Sequence, residues 1–415
     1  MQITGLATAV VEGNFDWTYV RLYTDEGFTG TGECFLAPGL TAICRELTPI
    51  LLGEDPRDVD RLFRKLQWST SGAGSVAGII YNAISGIEAA LWDLTGKAAG
   101  LPIHRMLGGK FRSRVRMYAD CHAGEGLEAL TSVMLTRAPS WLSESERQGH
   151  VSRSYWATGG SDAPTAEDYA RRARQIAALG YTALKFDLDV PNPHQIDEYN
   201  HGITNNEVNY MVGLVRAVRE AVGDGIDLAF DCHWRYTVAD VLKVAYGVEP
   251  YNLLWLEDPT PPENTDALLR VTQATRTPIC TGENLQLRQG FRALVQSGAA
   301  HVISPDLQKC GGLLEGKRIA EMADLHYIPV APHNISSPIG TMAAAHVCAA
   351  IPNFLALEFH AHGVPFWQDL AVGHEGPIID QGYITVPDRP GLGIELNEEI
   401  ARKYARPGEP FFAEV

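Results

Sequence analysis

The sequence predicts an α/β protein, a parallel β/α barrel preceded by a small α+β domain. Two observations predict it. Asp231 in AFDCHW, Glu257 in LWLEDP and Glu283 in ICTGEN recur at intervals of 26 and 26 residues (257 − 231 and 283 − 257). Each follows a short apolar run and precedes loop-like residues and a helical pattern, and the beat continues through Asp306, His333 and Glu358. A period of about 25 residues fits one strand plus one helix. The second observation is that the chain up to about residue 112 lacks this beat and alternates as antiparallel strands do.

The N-terminal segments TYVRLYTDEG and GFTGTGECF read as a meander with turns at Asp25–Gly27 and at Gly30. The stretch YNAISGIEAALWDLTGKAAG follows. Its Ile84, Ile87, Ala90, Leu91 and Leu94 keep helical spacing, and it stops near Gly100 with Pro102 beyond. From Val115 the pattern becomes strand then helix. Strands are expected near 115–121, 183–188, 226–232, 253–257, 278–283, 302–306, 327–332 and 354–358. Thr165 and Asp168 form a capping-box-like pair opening a helix that ends at Gly180.

Two connections are long, 124–164 and 189–204. Loops of such length are usually lids or disordered. Both leave strand C-termini, the face where barrel enzymes keep their chemistry. Arg153, Tyr155 and Trp156 in the first reach a substrate, or else the segment is surface decoration or a subunit contact. The glycines of Gly72–Gly78 read as a mobile loop, since no Lys-Ser/Thr follows to make a phosphate cradle. The expected organisation is a first domain over 1–112, a barrel over 113–362, and a segment over 363–415 that packs back on the first domain.

The 415 residues exceed one ordinary domain, and 45% hydrophobic content allows a large core. A net charge of −16 argues against nucleic acid or an anionic membrane as partner. No apolar run reaches the roughly 18 residues of a membrane span. No signal peptide is read in MQITGLATAVVEGNFDW. The seven cysteines include no C-x-x-C pair and read as small buried hydrophobes in a reducing cytoplasm.

Asp231, Glu257 and Glu283 are oxygen donors from three consecutive strands, the ligand type that Mg²⁺ prefers. Packed together without a cation, they would repel strongly. The alternative is three separate solvated carboxylates. Asp306, one strand before His333, fits a carboxylate that fixes the imidazole tautomer and raises its basicity, which is how a general base is built. His233 lies two residues past Asp231 and points to the same side if the strand persists. It then donates a proton to a leaving group; the alternatives are a supporting residue or a metal ligand. Lys185 and Asp187 share one strand face. Lys185 neutralises a substrate carboxylate or stabilises an enolate, and Asp187 pairs with it or binds a substrate hydroxyl. A purely structural pair is the alternative. Glu358 hydrogen-bonds the substrate carboxylate or is structural, and Lys309 has a supporting role.

Together these residues resemble the enolase superfamily, and within it the mandelate racemase subgroup. The resemblance spans essentially the whole chain through SGIEAALWDLTGKAAGLPIHRMLGG, the EDP, GEN and DLQKCGG strand ends and the APHN histidine. It implies a modified TIM barrel, (β/α)₇β, with an N-terminal α+β capping domain completed by the C-terminal segment. It also implies one Mg²⁺ per subunit on Asp231, Glu257 and Glu283, an Asp306–His333 dyad, and a homo-oligomer. The muconate-lactonizing branch has a lysine where this chain has Asp306, which disfavours cycloisomerase and dipeptide epimerase activity. Mandelate racemase has Lys-x-Lys where this chain has Lys185-Phe-Asp187, which disfavours racemization. Asp231-Cys-His233 looks like the D-x-H of galactonate- and mannonate-type dehydratases, whose histidine expels the β-hydroxyl. The expected activity is dehydration of an aldonic sugar acid such as galactonate or gluconate to a 2-keto-3-deoxy acid, with a 2-hydroxy-acid racemase or epimerase as the alternative. Specificity is expected from Asn14–Trp17, with Trp17 itself at the substrate, from Phe35–Pro38 and Ser69–Val76, and from Arg153 and Tyr155. A diacid would want a distal arginine, for which only Arg153 is a candidate.

Overall fold

The structure is a computed structural model that describes residues 1–73, 77–121, 139–143, 163–196 and 202–412. It divides into two compact units, Met1–Arg116 with Glu283–Phe291 and Pro305–Val415, and Met117–Gly282 with Arg292–Ser304. Among the described residues no helix is long and apolar enough to cross a membrane.

The first unit opens with the meander β1 (Ile3–Glu12), β2 (Asp16–Thr24) and β3 (Thr29–Cys34), antiparallel in that order. The turn at Asp25–Gly27 is as expected, with Gly27 at φ 82. Gly30 is not a turn residue, because it sits inside β3 opposite Leu22. Its purpose is close packing. Helices α1 (Leu40–Leu51), α2 (Val59–Ser69) and α3 (Ile79–Ala99) cover the meander, and the backbone of α3 lies directly on β3. A Cβ on Gly32 would stand 2.1 Å from the Gly86 carbonyl oxygen, and one on Gly30 2.2 Å from that of Ala90. Gly32→Val is therefore expected to cost about 3 kcal/mol by overpacking. A lowered urea midpoint at unchanged m-value would register it. An unshifted midpoint would mean that the sheet and helix separate without penalty. α3 ends where the periodicity predicts, on Gly100 in the left-handed conformation at φ 68.

The second unit holds the parallel run. After a short α4 (Ile103–Met106), β4 (Arg114–Cys121), β5 (Ala183–Asp187), β6 (Asp227–Asp231), β7 (Trp255–Glu257), β8 (Ile279–Thr281) and β9 (Val302–Ile303) pair in sequence order. Helices separate them: α5 (Ala166–Ala177), α6 (Asn205–Val222), α7 (Val238–Val248), α8 (Thr265–Ala274) and α9 (Leu287–Ser297). The α5 capping box is formed reciprocally by Thr165 and Asp168, while the helix ends three residues short of Gly180. All five residues of β5 are buried because a parallel sheet is covered on both faces.

Ladder ends differ from the sequence expectation. β8 stops before Gly282, whose φ is 144, and β9 stops two residues before Pro305. Glu283 and Asp306 thus lie just beyond their strands. The seventh expected strand, 327–332, is a single bridge, Val330 to Phe354. Pro329 and Pro332 lack the N–H groups that a ladder needs. α10 (Leu313–Asp324), α11 (Pro338–Ala349) and β10 (Leu357–Phe359) complete the repeat.

Two buried glutamates of the N-terminal segment hold helix N-termini of the same unit. Glu88 accepts from Leu313 N at 2.7 Å and Leu314 N at 3.1 Å, and Glu33 from Ser337 N and Gly340 N, both at 3.0 Å. Carboxylates are favoured there by the orphan N–H groups and the helix dipole. The C-terminal segment returns to the meander, where Ala405 bridges Val11, Phe411 bridges Ala9, and Arg406 pairs with Asp16 at 2.8 Å.

Candidate active site

In the second unit the polar residues gather at the C-terminal ends of β4 to β7. In-register pairing puts Asp120 beside Lys185, Asp187 beside Asp231, and Asp231 beside Glu257. Lys185 is 1% exposed. Its ammonium lies 3.1 Å from Asp231, 3.4 Å from Glu257 and 3.5 Å from Asp120. Trp255 Nε1 donates to Glu257 Oε2 at 2.8 Å. Asp231 and Glu257 are fully buried. Burial works against the Asp231 charge, but His233 and Lys185 outweigh it and hold the carboxyl below its usual range.

His233 is where expectation and structure part in detail. The strand does not persist to it, since β6 ends at Asp231 and His233 has φ 39, followed by Trp234 at φ 61. The imidazole still turns back to the strand ends. Its Nε2 lies 3.7 Å from Asp231 Oδ2, and its backbone N–H donates to Asp231 Oδ1 at 2.9 Å. Nδ1 meets Asp189 Oδ1 at 3.0 Å, with Asp187 farther at 4.0 Å. Burial opposes the charged form, yet Asp231, Asp189 and Asp187 hold the imidazole well above its ordinary range. Asp187, Asp231 and His233 each offer a ligand atom within 4.8 Å of the others, which also suits the metal-ligand alternative for His233.

In the first unit His333 Nδ1 lies 2.6 Å from Asp306 Oδ2, the dyad that their spacing predicts. Asp306 is fixed in turn by Gln308 N on its Oδ1 at 2.8 Å. His333 Nε2 faces Glu283 at 3.5 Å and Glu358 at 3.7 Å. Burial lowers the imidazole pKa, but Glu283, Glu358 and Asp306 overcome it and push it up to about 10. Asn334 holds Glu358 through its backbone N–H at 2.9 Å. The Phe35 ring stands 5.8 Å from His333, and the Lys309 ammonium lies 4.4 Å from the Phe35 ring centre while donating to Asn284 at 2.5 Å.

Trp17 is 2% exposed and its indole N–H donates to the Ile335 carbonyl at 3.0 Å. It anchors the segment that follows His333 and is not an open surface ring. Arg153 and Tyr155 lie outside the described residues.

Sequence reasoning missed Asp189, Asp120 and Asn334. Asp189 had a signal: Lys185, Asp187 and Asp189 alternate, so the face drawn from the first two extends to the third. Asp120 and Asn334 carry no spacing that marks them.

Residues 7–108 match the N-terminal domain of the mandelate racemase / muconate lactonizing enzyme family, and 168–400 match the enolase C-terminal domain-like family. A D-xylonate dehydratase from Haloferax volcanii is 42% identical over 413 residues, covering 100% of this chain and 91% of that protein. A D-galactonate dehydratase family member from Musicola paradisiaca is 29% identical, covering 97% and 94%. The crystal structure of a mandelate racemase/muconate lactonizing enzyme-like protein from Rubrobacter xylanophilus superposes with a TM-score of 0.89 at 44% identity, covering 99% of each chain. The fold is thus a modified (β/α)₇β barrel with an N-terminal α+β domain, and the chain belongs to the mandelate racemase/muconate lactonizing enzyme family of the enolase superfamily.

Proposed function

We propose that the chain is a Mg²⁺-dependent dehydratase of an aldonic acid, abstracting the proton α to the carboxylate and eliminating the 3-hydroxyl. The observation that carries this reading is a pair of imidazoles, each held through Nδ1 by a buried carboxylate: His333 by Asp306 at 2.6 Å and His233 by Asp189 at 3.0 Å. A racemase needs a base on each substrate face; a dehydratase needs a base and an acid. The naming of the 42% identical relative as a D-xylonate dehydratase supports the same choice and makes a five-carbon monoacid the first substrate to test.

The donor set suits a hard cation. Asp231 and Glu257 close their strands and Glu283 lies just past its own; all three are buried and would serve as oxygen ligands, the first two amid a surplus of carboxylates around Lys185. A divalent ion bound there supplies positive charge to offset the charge that develops on the substrate carboxylate. His333 takes the α-proton at Nε2, with Asp306 keeping Nδ1 protonated. Glu358 and Lys185 orient the carboxylate end. His233 delivers its Nε2 proton to the 3-oxygen as the C3–O bond breaks, and the resulting enol becomes the 2-keto-3-deoxy acid. Trp17, Asp187, Arg153 and Tyr155 complete the substrate side of the proposal. The proposal also includes a cytoplasmic homo-oligomer. All seven cysteines are buried and free, which suits a reducing compartment.

A screen of D-xylonate, D-galactonate, D-gluconate and their diacids with Mg²⁺, read as semicarbazone absorbance of the 2-keto-3-deoxy product, tests the reading. Turnover of monoacids that stops in EDTA is expected. Activity confined to diacids, or indifferent to EDTA, contradicts it.

Charge linkage gives a second expectation. A group raised from about 6.5 to about 10 contributes stability below the unfolded value and loses it as pH rises through the folded one. Chelator-stripped protein should therefore lose stability between those two pH values. If Glu283 is a ligand, Mg²⁺ removes the largest of the charges that raise His333, and its pKa should fall toward neutrality. Imidazole NMR titration with and without Mg²⁺ reads this, and an unchanged His333 titration would remove Glu283 from the ligand set.

A further inference from the structure

We infer that Asp189 is a positioning residue for His233, holding the imidazole so that its Nε2 carries the proton delivered to the departing hydroxyl. This rests on the dehydratase reading above and adds a part to it.

Asp189 leaves β5 two residues after Asp187, and its side chain is 1% exposed. Its Oδ1 meets His233 Nδ1 at 3.0 Å. A carboxylate oxygen only accepts, so the proton of that bond belongs to Nδ1. The opposite nitrogen then faces Asp231, 3.7 Å away, on the side of the other strand-end carboxylates. Asp187 is a weaker partner at 4.0 Å from the same Nδ1.

Three hydrogen bonds tie down the backbone beneath Asp189. Leu188 N donates to Asp231 O at 2.7 Å, Tyr169 Oη to Asp187 O at 2.7 Å, and Tyr236 Oη to Leu188 O at 3.4 Å. His233 needs such a partner because its own backbone is not a strand. Two successive non-glycine residues, at φ 39 and 61, sit in the left-handed region. Such residues cost about 1–3 kcal/mol each and persist only where the surroundings over-determine them. The bonds His233 N to Asp231 Oδ1 at 2.9 Å and Trp234 N to Asp258 O at 2.7 Å fix the backbone. Neither sets the rotation of the ring. The bond that Nδ1 donates to Asp189 does.

Asp189 is also a poor stabiliser. Its Oδ2 is buried without a hydrogen-bond partner among the described residues, beside a cavity that it lines with Asn192, Glu207, Arg235 and Tyr236. An unsatisfied buried oxygen is costly, which argues that the residue is kept for what Oδ1 does.

In the step served, the electron pair freed at C2 forms the C2–C3 double bond and the C3–O bond breaks. The Nε2 proton joins that oxygen, and water leaves. A C3–F bond departs as fluoride without this proton, which separates ring positioning from general damage.

The test compares wild type, Asp189→Ala and Asp189→Asn on whichever of D-xylonate, D-galactonate and D-gluconate wild type dehydrates fastest, and on its 3-deoxy-3-fluoro analogue, with Mg²⁺. In Asp189→Ala, kcat for water loss should fall about 10- to 100-fold, as for other residues that orient a histidine. KM, α-deuterium exchange and fluoride release should stay within about threefold of wild type. Asp189→Asn should recover most of kcat, since its amide oxygen still accepts from Nδ1. Undiminished water loss in Asp189→Ala, or a parallel loss of fluoride release, overturns the inference alone. A wild-type enzyme idle on all three acids takes down the dehydratase reading, and this inference with it.

Discussion

Replacing His333 by Asn is expected to abolish dehydration and α-proton exchange together, each by on the order of 10⁴-fold, the upper range for a general base. The substitution keeps a side chain that reaches Asp306 but removes Nε2, the ring nitrogen that faces Glu283 and Glu358. Because proton removal precedes elimination, no product should form by a later route. The fold should persist, since Asp306 keeps its bond from Gln308 N at 2.8 Å and Asn334 keeps Glu358 in place. Deuterium incorporation at C2 in D₂O reads the first effect and 2-keto-3-deoxy product the second. Exchange that survives in His333→Asn would move the base elsewhere in the site.

Replacing His233 by Asn is expected to split those two activities. Dehydration should fall by on the order of 10³-fold, as expected for loss of a general acid, while C2 exchange continues. The difference follows from the placement of the two rings. Each has its own carboxylate partner on its own strand connection, Asp306 after β9 and Asp189 after β5, so removing one ring leaves the other's support intact. The lost imidazolium also removes a positive charge beside Asp231, which His233 helps to hold ionised. A modest rise in KM should accompany the loss of kcat. Equal loss of exchange and elimination would mean that His233 acts through Asp231, as the metal-ligand alternative has it.

Much of this was legible in the sequence, for physical reasons. Glu257 and Glu283 follow Asp231 at equal spacing because each repeat spends the same length on one strand and one helix. Parallel pairing then aligns Asp231 with Glu257 without adjustment. Asp306 and His333 were readable from the same beat, and lie at bonding distance. Less legible was anything set where a strand ends. His233 was placed by assuming a continued strand, whereas a left-handed pair of residues turns the ring back toward Asp231. Asp189 continues the alternation of Lys185 and Asp187, but its contact with His233 depends on that turn.

Proline chemistry explains the reduced seventh strand, a local signal present in YIPVAP that the repeat count overrode. Gly30 was read as a turn because glycine usually marks one. Here α3 packs against β3 backbone to backbone, a tertiary demand that no local pattern reports. Trp17 illustrates the same limit. Its indole N–H reaches the Ile335 carbonyl, 318 positions away, a contact that no local pattern reports. Glu33 and Glu88 reach their helix N-termini across more than two hundred residues, and nothing local announces them.

The most direct measurement is wild-type protein with D-xylonate and Mg²⁺ in D₂O, followed by ¹H NMR and repeated after chelation. The expected result is disappearance of the acid into a 2-keto-3-deoxy product, lost in EDTA and restored by Mg²⁺. Deuterium entering C2 of an otherwise unconsumed acid, with inversion and no loss of water, would contradict it and make the chain a racemase or epimerase of the same scaffold.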